Sequence, residues 1–177
     1  MNYFTIPEIC LATEDDIPVL TSLLNSAYRG EASTKGWTTE AHLISGEVRT
    51  DENNLKDVLR KTGSVMLKYT DEKNNVIGCV NLQQQNEKLY LGMFSVSPGQ
   101  QGGGIGKKIL LAAEQHARNQ GCRLIFMHVI SVRHDLINWY LRHGYIDSGK
   151  RIPFKEDGLT GKHLQALEFM VLEKNIT

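Results

Sequence analysis

With 177 residues, 41% of them apolar and 23% charged, the chain can bury a sizeable core and has an ordinary globular composition. Twenty basic side chains against twenty acidic ones leave a formal net charge of zero, which argues against nucleic acid or an anionic membrane as a partner. The three cysteines, Cys10, Cys79 and Cys122, form no CxxC pair, the N-terminal stretch lacks a basic-then-apolar signal pattern, and no apolar run nears the ~18 residues of a membrane span. A cytoplasmic protein with reduced thiols is expected, built as one domain over residues 1–177 with its core at about 9–174.

"IPEICLA" reads as a first strand, and "TEDD" as a capping box with Thr13 at the N-cap and Asp16 three residues on. Ile17, Leu20, Leu24 and Ala27 keep helical spacing as far as Tyr28. "RGEASTKGW" is a loop by composition, and "TTEAHLISG" predicts a short helix capped by Thr38 or Thr39 and ended near Gly46. "NNLKDVLRKTG" predicts another short helix. "SVMLKYT", "VIGCVNLQQQ" and "KLYLGMFSV" follow as hairpin-linked second, third and fourth strands. Ile105, Ile109, Ala112, Ala113 and Ala117 mark one face of a helix, and Gly121 stands where a C′ glycine belongs. "CRLIFMHVI" is a fifth strand, "HDLINWYLRHG" a helix stopped by Gly144, and "YIDSGKRIPF" and "LQALEFMVLEK" two closing strands.

Between the fourth strand and its helix lies "SPGQQGGGIG", with five glycines from Gly99 to Gly106. A strand, a glycine-rich turn and a helix N-terminus make an anion site, because the first amides of the helix are unpaired and its dipole is positive there. Glycine lets those amides approach a phosphate closely. The nucleotide P-loop does not fit: position 101 is Gln where it needs Gly, and Lys108 stands where it needs Ser or Thr. The dinucleotide G-x-G-x-x-G fails too, since its third glycine falls on Lys107 or Ile109.

A third pattern, Q/R-x-x-G-x-G/A, is met by Gln101, Gly104 and Gly106. It resembles the pyrophosphate loop of the GNAT superfamily of acetyl-CoA-dependent N-acetyltransferases, and the strand–loop–helix context and strand order resemble that family over about 9–174. The resemblance implies an α/β (α+β) fold: a mixed, mostly antiparallel sheet of about seven strands, flanked by helices and splayed between the fourth and fifth strands. It implies acetyl-CoA as co-substrate and no metal. The segment Phe94, Ser95 and Val96 would bond the pantetheine arm through backbone groups. The amides of Gln101, Gly102, Gly103, Gly104, Ile105, Gly106 and Lys107 would surround the pyrophosphate. Lys107 and Lys108 are candidates for added charge near the phosphates.

"NWYLRHGY", Asn138–Tyr145, is similar to the family's second cofactor motif and puts Tyr140 at the position of its general-acid tyrosine. A phenol with a pKa near 10 suits protonation of a departing thiolate. The same Tyr140 would also suit a buried helix face with Leu136, Ile137 and Leu141. Two positions depart from the family. Arg133 stands where a cofactor-contacting Asn is frequent, so it is a candidate to reach the cofactor or an anionic acceptor, with a solvent-facing position as the alternative. Tyr90 stands where many relatives carry a catalytic Glu, which leaves Glu31, His128 or a water chain as candidate bases. His128 equally fits a core position on an apolar strand.

In such a fold the segment between the first two helices, "YRGEASTKGWTTE", borders the acceptor pocket, so Tyr28, Arg29, Glu31 and Trp37 are candidate substrate-binding residues. Glu31 offers a carboxylate to an amine and Arg29 a bidentate fork to a carboxylate or phosphate. The expected reaction is direct transfer of acetyl to a primary amine of a small polar molecule or peptide, with homodimerisation, frequent among relatives, left open. A non-catalytic acyl-CoA sensor and an acyltransferase using a longer acyl-CoA are the rival readings.

Overall fold

The computed structural model describes residues 3–176. In chain order these form β1 (Ile9–Leu11), α1 (Ile17–Tyr28), α2 (Gly30–Ser33), β2 (Ile44–Ser45), α3 (Glu52–Arg60), β3 (Ser64–Thr70), β4 (Val76–Gln85), β5 (Lys88–Val96), α4 (Ile105–Asn119), β6 (Leu124–Ile130), α5 (His134–Arg142), β7 (Ile146–Phe154), β8 (Lys162–His163) and β9 (Leu167–Asn175). One sheet runs in the order β1-β3-β4-β5-β6-β9-β7, antiparallel at every step except β5–β6, and β2 pairs with β8 apart from it. The fourth strand read from the sequence is β5 and the fifth is β6.

Alternating side chains commit the sheet to two buried faces. Leu67 and Val80 join the core under α4 and α5, which includes Ile109, Ala113 and Ile137. Their neighbours Met66 and Cys79 pack on the other face with Leu20 and Leu24 of α1 and Leu55 of α3. Local signals end the elements as the sequence suggests. The Thr13 N–H donates to Asp16 Oδ2 at 2.8 Å ahead of α1, and Gly121, with φ of +71°, closes α4 through a bond from its N–H to the Arg118 carbonyl at 3.0 Å.

The sheet splays where the family resemblance implies. β5 and β6 pair only through Lys88–Tyr90 and Leu124–Phe126. In β5, Met93 and Phe94 together oppose the single residue Val80, and Met93 takes a left-handed φ of +50°. Such a bulge bends the strand and redirects its side chains. The far half of β5 therefore leaves β6 and opens a gap in the middle of the sheet.

The helix expected over "TTEAHLISG" does not form. Residues 39 and 40 are irregular, residues 41–43 make a turn, and Ile44 and Ser45 pair with His163 and Lys162. The cause is Glu40. Its Oε2 accepts from Arg29 Nη1, and its Oε1 accepts from Arg133 Nη1 at 2.9 Å. Arg29 also donates to the Thr160 carbonyl (3.2 Å), and Arg133 to the Thr38 carbonyl (2.5 Å). All three ionic side chains are buried. One carboxylate held between two guanidinium groups pulls this segment inward and outweighs a helix propensity worth only tenths of a kcal/mol per residue. The predicted loop before it contains one helical turn, α2, entered through Gly30 at φ +66°.

Removing Glu40 leaves two buried cations without their counter-ion. Glu40→Ala is expected to cost about 3–5 kcal/mol in urea denaturation, and adding Arg29→Met and Arg133→Met to that variant to recover much of the loss.

Candidate active site

After β5 the chain makes a tight turn at Pro98–Gln100, and then Gly102 (φ +89°) and Gly104 (φ +83°) take left-handed backbone. The α4 hydrogen-bond ladder begins with Lys108 N–H donating to the Gly104 carbonyl at 3.1 Å. The amides of Ile105, Gly106 and Lys107 thus belong to the helical turn that has no intrahelical acceptor. Lys107 lines the cleft in front of them. Lys108 turns away to Glu8 Oε1 (3.0 Å) and the Tyr69 hydroxyl (3.3 Å).

This loop and α5 enclose a cleft of about 650 Å³. Trp139 forms one side, with ring centroids 5.9 Å from Phe94 and 6.2 Å from Trp37. A Cβ on Gly106 would come within 3.3 Å of the Trp139 ring, so glycine keeps this part of the cleft open. Gln101 closes the other side with its side chain. Its Oε1 accepts from the Trp37 N–H at 2.8 Å, while its Nε2 donates to Thr38 Oγ1 (2.8 Å) and to the Val96 carbonyl (3.0 Å). Gly36 permits the contact: a Cβ there would lie 2.4 Å from Gln101 Oε1.

A second, smaller cavity of about 100 Å³ occupies the splay. Tyr90 and His128 stand on its wall with ring centroids 5.3 Å apart, and Arg49 and Arg133 also line it. Tyr28, Phe94, Leu136 and Tyr140 line both cavities and form the partition between them. Tyr140 is buried, and among the described residues no protein group bonds its hydroxyl. Burial raises its pKa well above 10, so the phenol keeps its proton. The Tyr28 hydroxyl donates to the Phe94 carbonyl, which fixes the partition on β5. Burial lowers the pKa of His128, so its imidazole is neutral near pH 7. Burial pushes the Cys79 thiol up to about 12, far from a nucleophilic thiolate.

The structure brings Tyr140, Phe94, Val96 and most of the Gln101–Lys107 loop to the large cleft, and Tyr28 and His128 to the smaller cavity. Four candidate residues lie away from where the sequence reading expects them. Arg29 is held by Glu40 and Thr160 below the surface and lines neither cavity. Glu31 is exposed on α2 and lines neither cavity. Trp37 lies over the large cleft, drawn there by Gln101, and not in the smaller cavity. Arg133 lines the smaller cavity and not the large cleft, because Glu40 and the Thr38 carbonyl hold its guanidinium. Ser95 and Gly103 line neither cavity. Sequence reasoning passed over Trp139, which was legible beside Tyr140. It also passed over Glu40 and Arg49, for which no local signal exists.

The sequence profile of the acetyltransferase (GNAT) family matches residues 21–145. The chain belongs to this family, whose activity is acyl transfer from an acyl-CoA to an amine. No curated protein sequence matches it significantly. Among solved structures it is similar to a ribosomal-protein-alanine N-acetyltransferase from Brucella melitensis, at 20% identity and a TM-score of 0.69 over 94% of this chain and 98% of that one. It is also similar to a GNAT-family acetyltransferase from Staphylococcus aureus, at 16% identity and 0.68 over 96% and 98%. At this identity the likeness concerns the fold.

The Gln101 latch predicts coupled stability effects. Gln101→Ala removes three hydrogen bonds and is expected to cost about 1–3 kcal/mol in urea denaturation. Gly36→Ala displaces the same side chain, so the double variant is expected to lose little more than Gln101→Ala alone.

Proposed function

We propose that the protein is an N-acetyltransferase that moves acetyl from acetyl-CoA directly to a primary amine of a small polar acceptor. The observation that carries this reading is the shared partition: Tyr28, Phe94, Leu136 and Tyr140 face a large cleft on one side and a small cavity on the other. Such a wall lets two reactants meet from opposite sides of the sheet.

The large cleft fits acetyl-CoA by its own features. Left-handed glycines and free first-turn amides suit a pyrophosphate, with Lys107 beside them. The cleft-facing edge of β5 around Phe94 and Val96 has no strand partner on that side, which suits an extended amide-containing arm. The carbonyls of those two residues already accept from Tyr28 and Gln101, so the arm would be met there mainly by amide N–H groups. When bound, acetyl-CoA supplies an activated thioester.

The chain's own groups then divide the proton work. The Tyr140 hydroxyl holds a proton at the partition and gives it to the departing thiolate sulfur. His128, neutral and on the acceptor side, accepts a proton from the attacking ammonium or from a water between them. A Cys-acyl intermediate is disfavoured, because the Cys79 thiol stays protonated in the core against α1.

Calorimetric titration is expected to show saturable acetyl-CoA binding that Gly104→Glu abolishes. A Cβ at Gly104 meets no atom within 4 Å, but the left-handed φ of +83° strains any side chain there, so circular dichroism of the variant is compared with that of the unaltered protein. Absence of binding by the unaltered protein would remove the basis of the reading. Given a competent amine, Tyr140→Phe is expected to lower kcat by about 10²–10⁴-fold with acetyl-CoA affinity retained.

For His128 the sign follows from its pKa, which burial lowers: protonation disables the base, so kcat falls on the acid side, at a pH below the ordinary imidazole range. His128→Gln is expected to lower kcat and abolish that limb of the pH profile. An unchanged profile would exclude His128.

A further inference from the structure

The smaller cavity carries an unbalanced charge. Arg49 and Arg133 line it with one carboxylate, Glu40, and Arg29 pairs with that carboxylate from behind the wall. Both oxygens of Glu40 are engaged, one by Arg29 and the other by Arg133. Among the described residues Arg49 forms no ion pair, and its side chain makes no hydrogen bond. Its guanidinium lies 5.9 Å from the centroid of the Tyr28 ring, and the Arg133 guanidinium lies at the same distance from that ring. The remaining wall, with Tyr90, His128, Phe154 and Phe169, carries no acidic side chain.

The backbone under Arg49 is anchored. Asn25 of α1 accepts from the N–H of Arg49 (2.6 Å) and of Thr50 (3.0 Å), and donates to the Thr50 carbonyl at 3.1 Å. Asp51 then caps α3 by accepting from the Asn54 N–H at 2.7 Å. A half-buried guanidinium on a fixed backbone, facing a cavity whose one carboxylate is already engaged, matches the paired oxygens of an oxyanion in geometry and sign.

We infer that Arg49 is the specificity residue of the acceptor site, and that the acceptor is a small amine carrying an oxyanion such as a carboxylate or phosphonate. The inference rests on the acetyltransferase reading for the amine and stands on Arg49 for the anion. The oxyanion pairs with Arg49, and the amine lies toward Tyr140 at the partition. A cavity of about 100 Å³ suits an amino-acid-sized group better than a folded protein surface.

The test titrates the protein calorimetrically, with and without CoA, with acetate, methylphosphonate and the neutral control acetamide. Expected is saturable binding of at least one anion, none of acetamide, and at least a ~10-fold loss in Arg49→Met with partial retention in Arg49→Lys. The stronger anion separates carboxylate from phosphonate acceptors. In turnover, amino acids are expected to exceed their carboxamides in kcat/KM, with that ratio collapsing toward one in Arg49→Met. Anion binding that is absent, or that survives Arg49→Met, overturns the inference. Acetyl-CoA affinity measured on the same preparations separates the two failures. Intact acetyl-CoA binding without anion binding refutes only the role of Arg49. Absent acetyl-CoA binding refutes the transferase reading, and the anion titration still decides the role of Arg49.

Discussion

The buried ion cluster of Arg29, Glu40 and Arg133 is the constraint on which the functional half of the molecule depends. It joins the end of α1, the segment after α2, the start of α5 and the Thr160 turn at one carboxylate. Burying three charges is costly, and their stabilisation requires that the hydrogen bonds be made together. Thr38, bonded through its carbonyl to Arg133, also receives Gln101 from the glycine loop. A single polar network thus runs from the smaller cavity to the mouth of the large cleft. Tyr28 and Tyr140 sit one residue before Arg29 and on the helix that follows Arg133, so their positions at the partition are set by it.

The sheet supplies the second condition. A parallel step between β5 and β6 that pairs for three residues and then opens gives the molecule two access routes to one place. The Met93 bulge turns the β5 edge toward the large cleft, while Tyr90 and His128 remain on the side of the smaller cavity. Each half uses different physics. The large cleft offers backbone amides, left-handed glycines and aromatic walls. The small one offers guanidinium charge in an enclosed, partly aromatic setting, where an ionic contact is worth more than at an open surface.

What could be read from sequence, and what could not, follows the range of the forces involved. The main strands, α1, α4 and α5 were legible because their periodicity and end signals, such as Thr13 with Asp16 and Gly121, act within a few residues. The glycine loop and Tyr140 were legible because anion binding at a helix start and the motif around Tyr140 are local patterns. The segment from Thr38 to Gly46 was misread as a helix because its conformation is set by Arg133, 93 residues from Glu40. Arg29 and Trp37 were assigned to acceptor binding because nothing near them in sequence reveals that Glu40 and Gln101 claim their polar groups. Arg49 gave no signal at all: its significance lies in the counter-ion it lacks, which only the assembled cavity displays.

The central claim is that the glycine loop and the Tyr140 helix together hold acetyl-CoA against the partition. Hydrogen–deuterium exchange with and without acetyl-CoA tests it most directly, because it reports on backbone amides across the chain without requiring a known acceptor. The account predicts slower exchange at residues 101–107 and 136–143, with β1 and α3 unchanged. Unaltered exchange in the glycine loop at saturating acetyl-CoA, or protection confined to other elements, would contradict it.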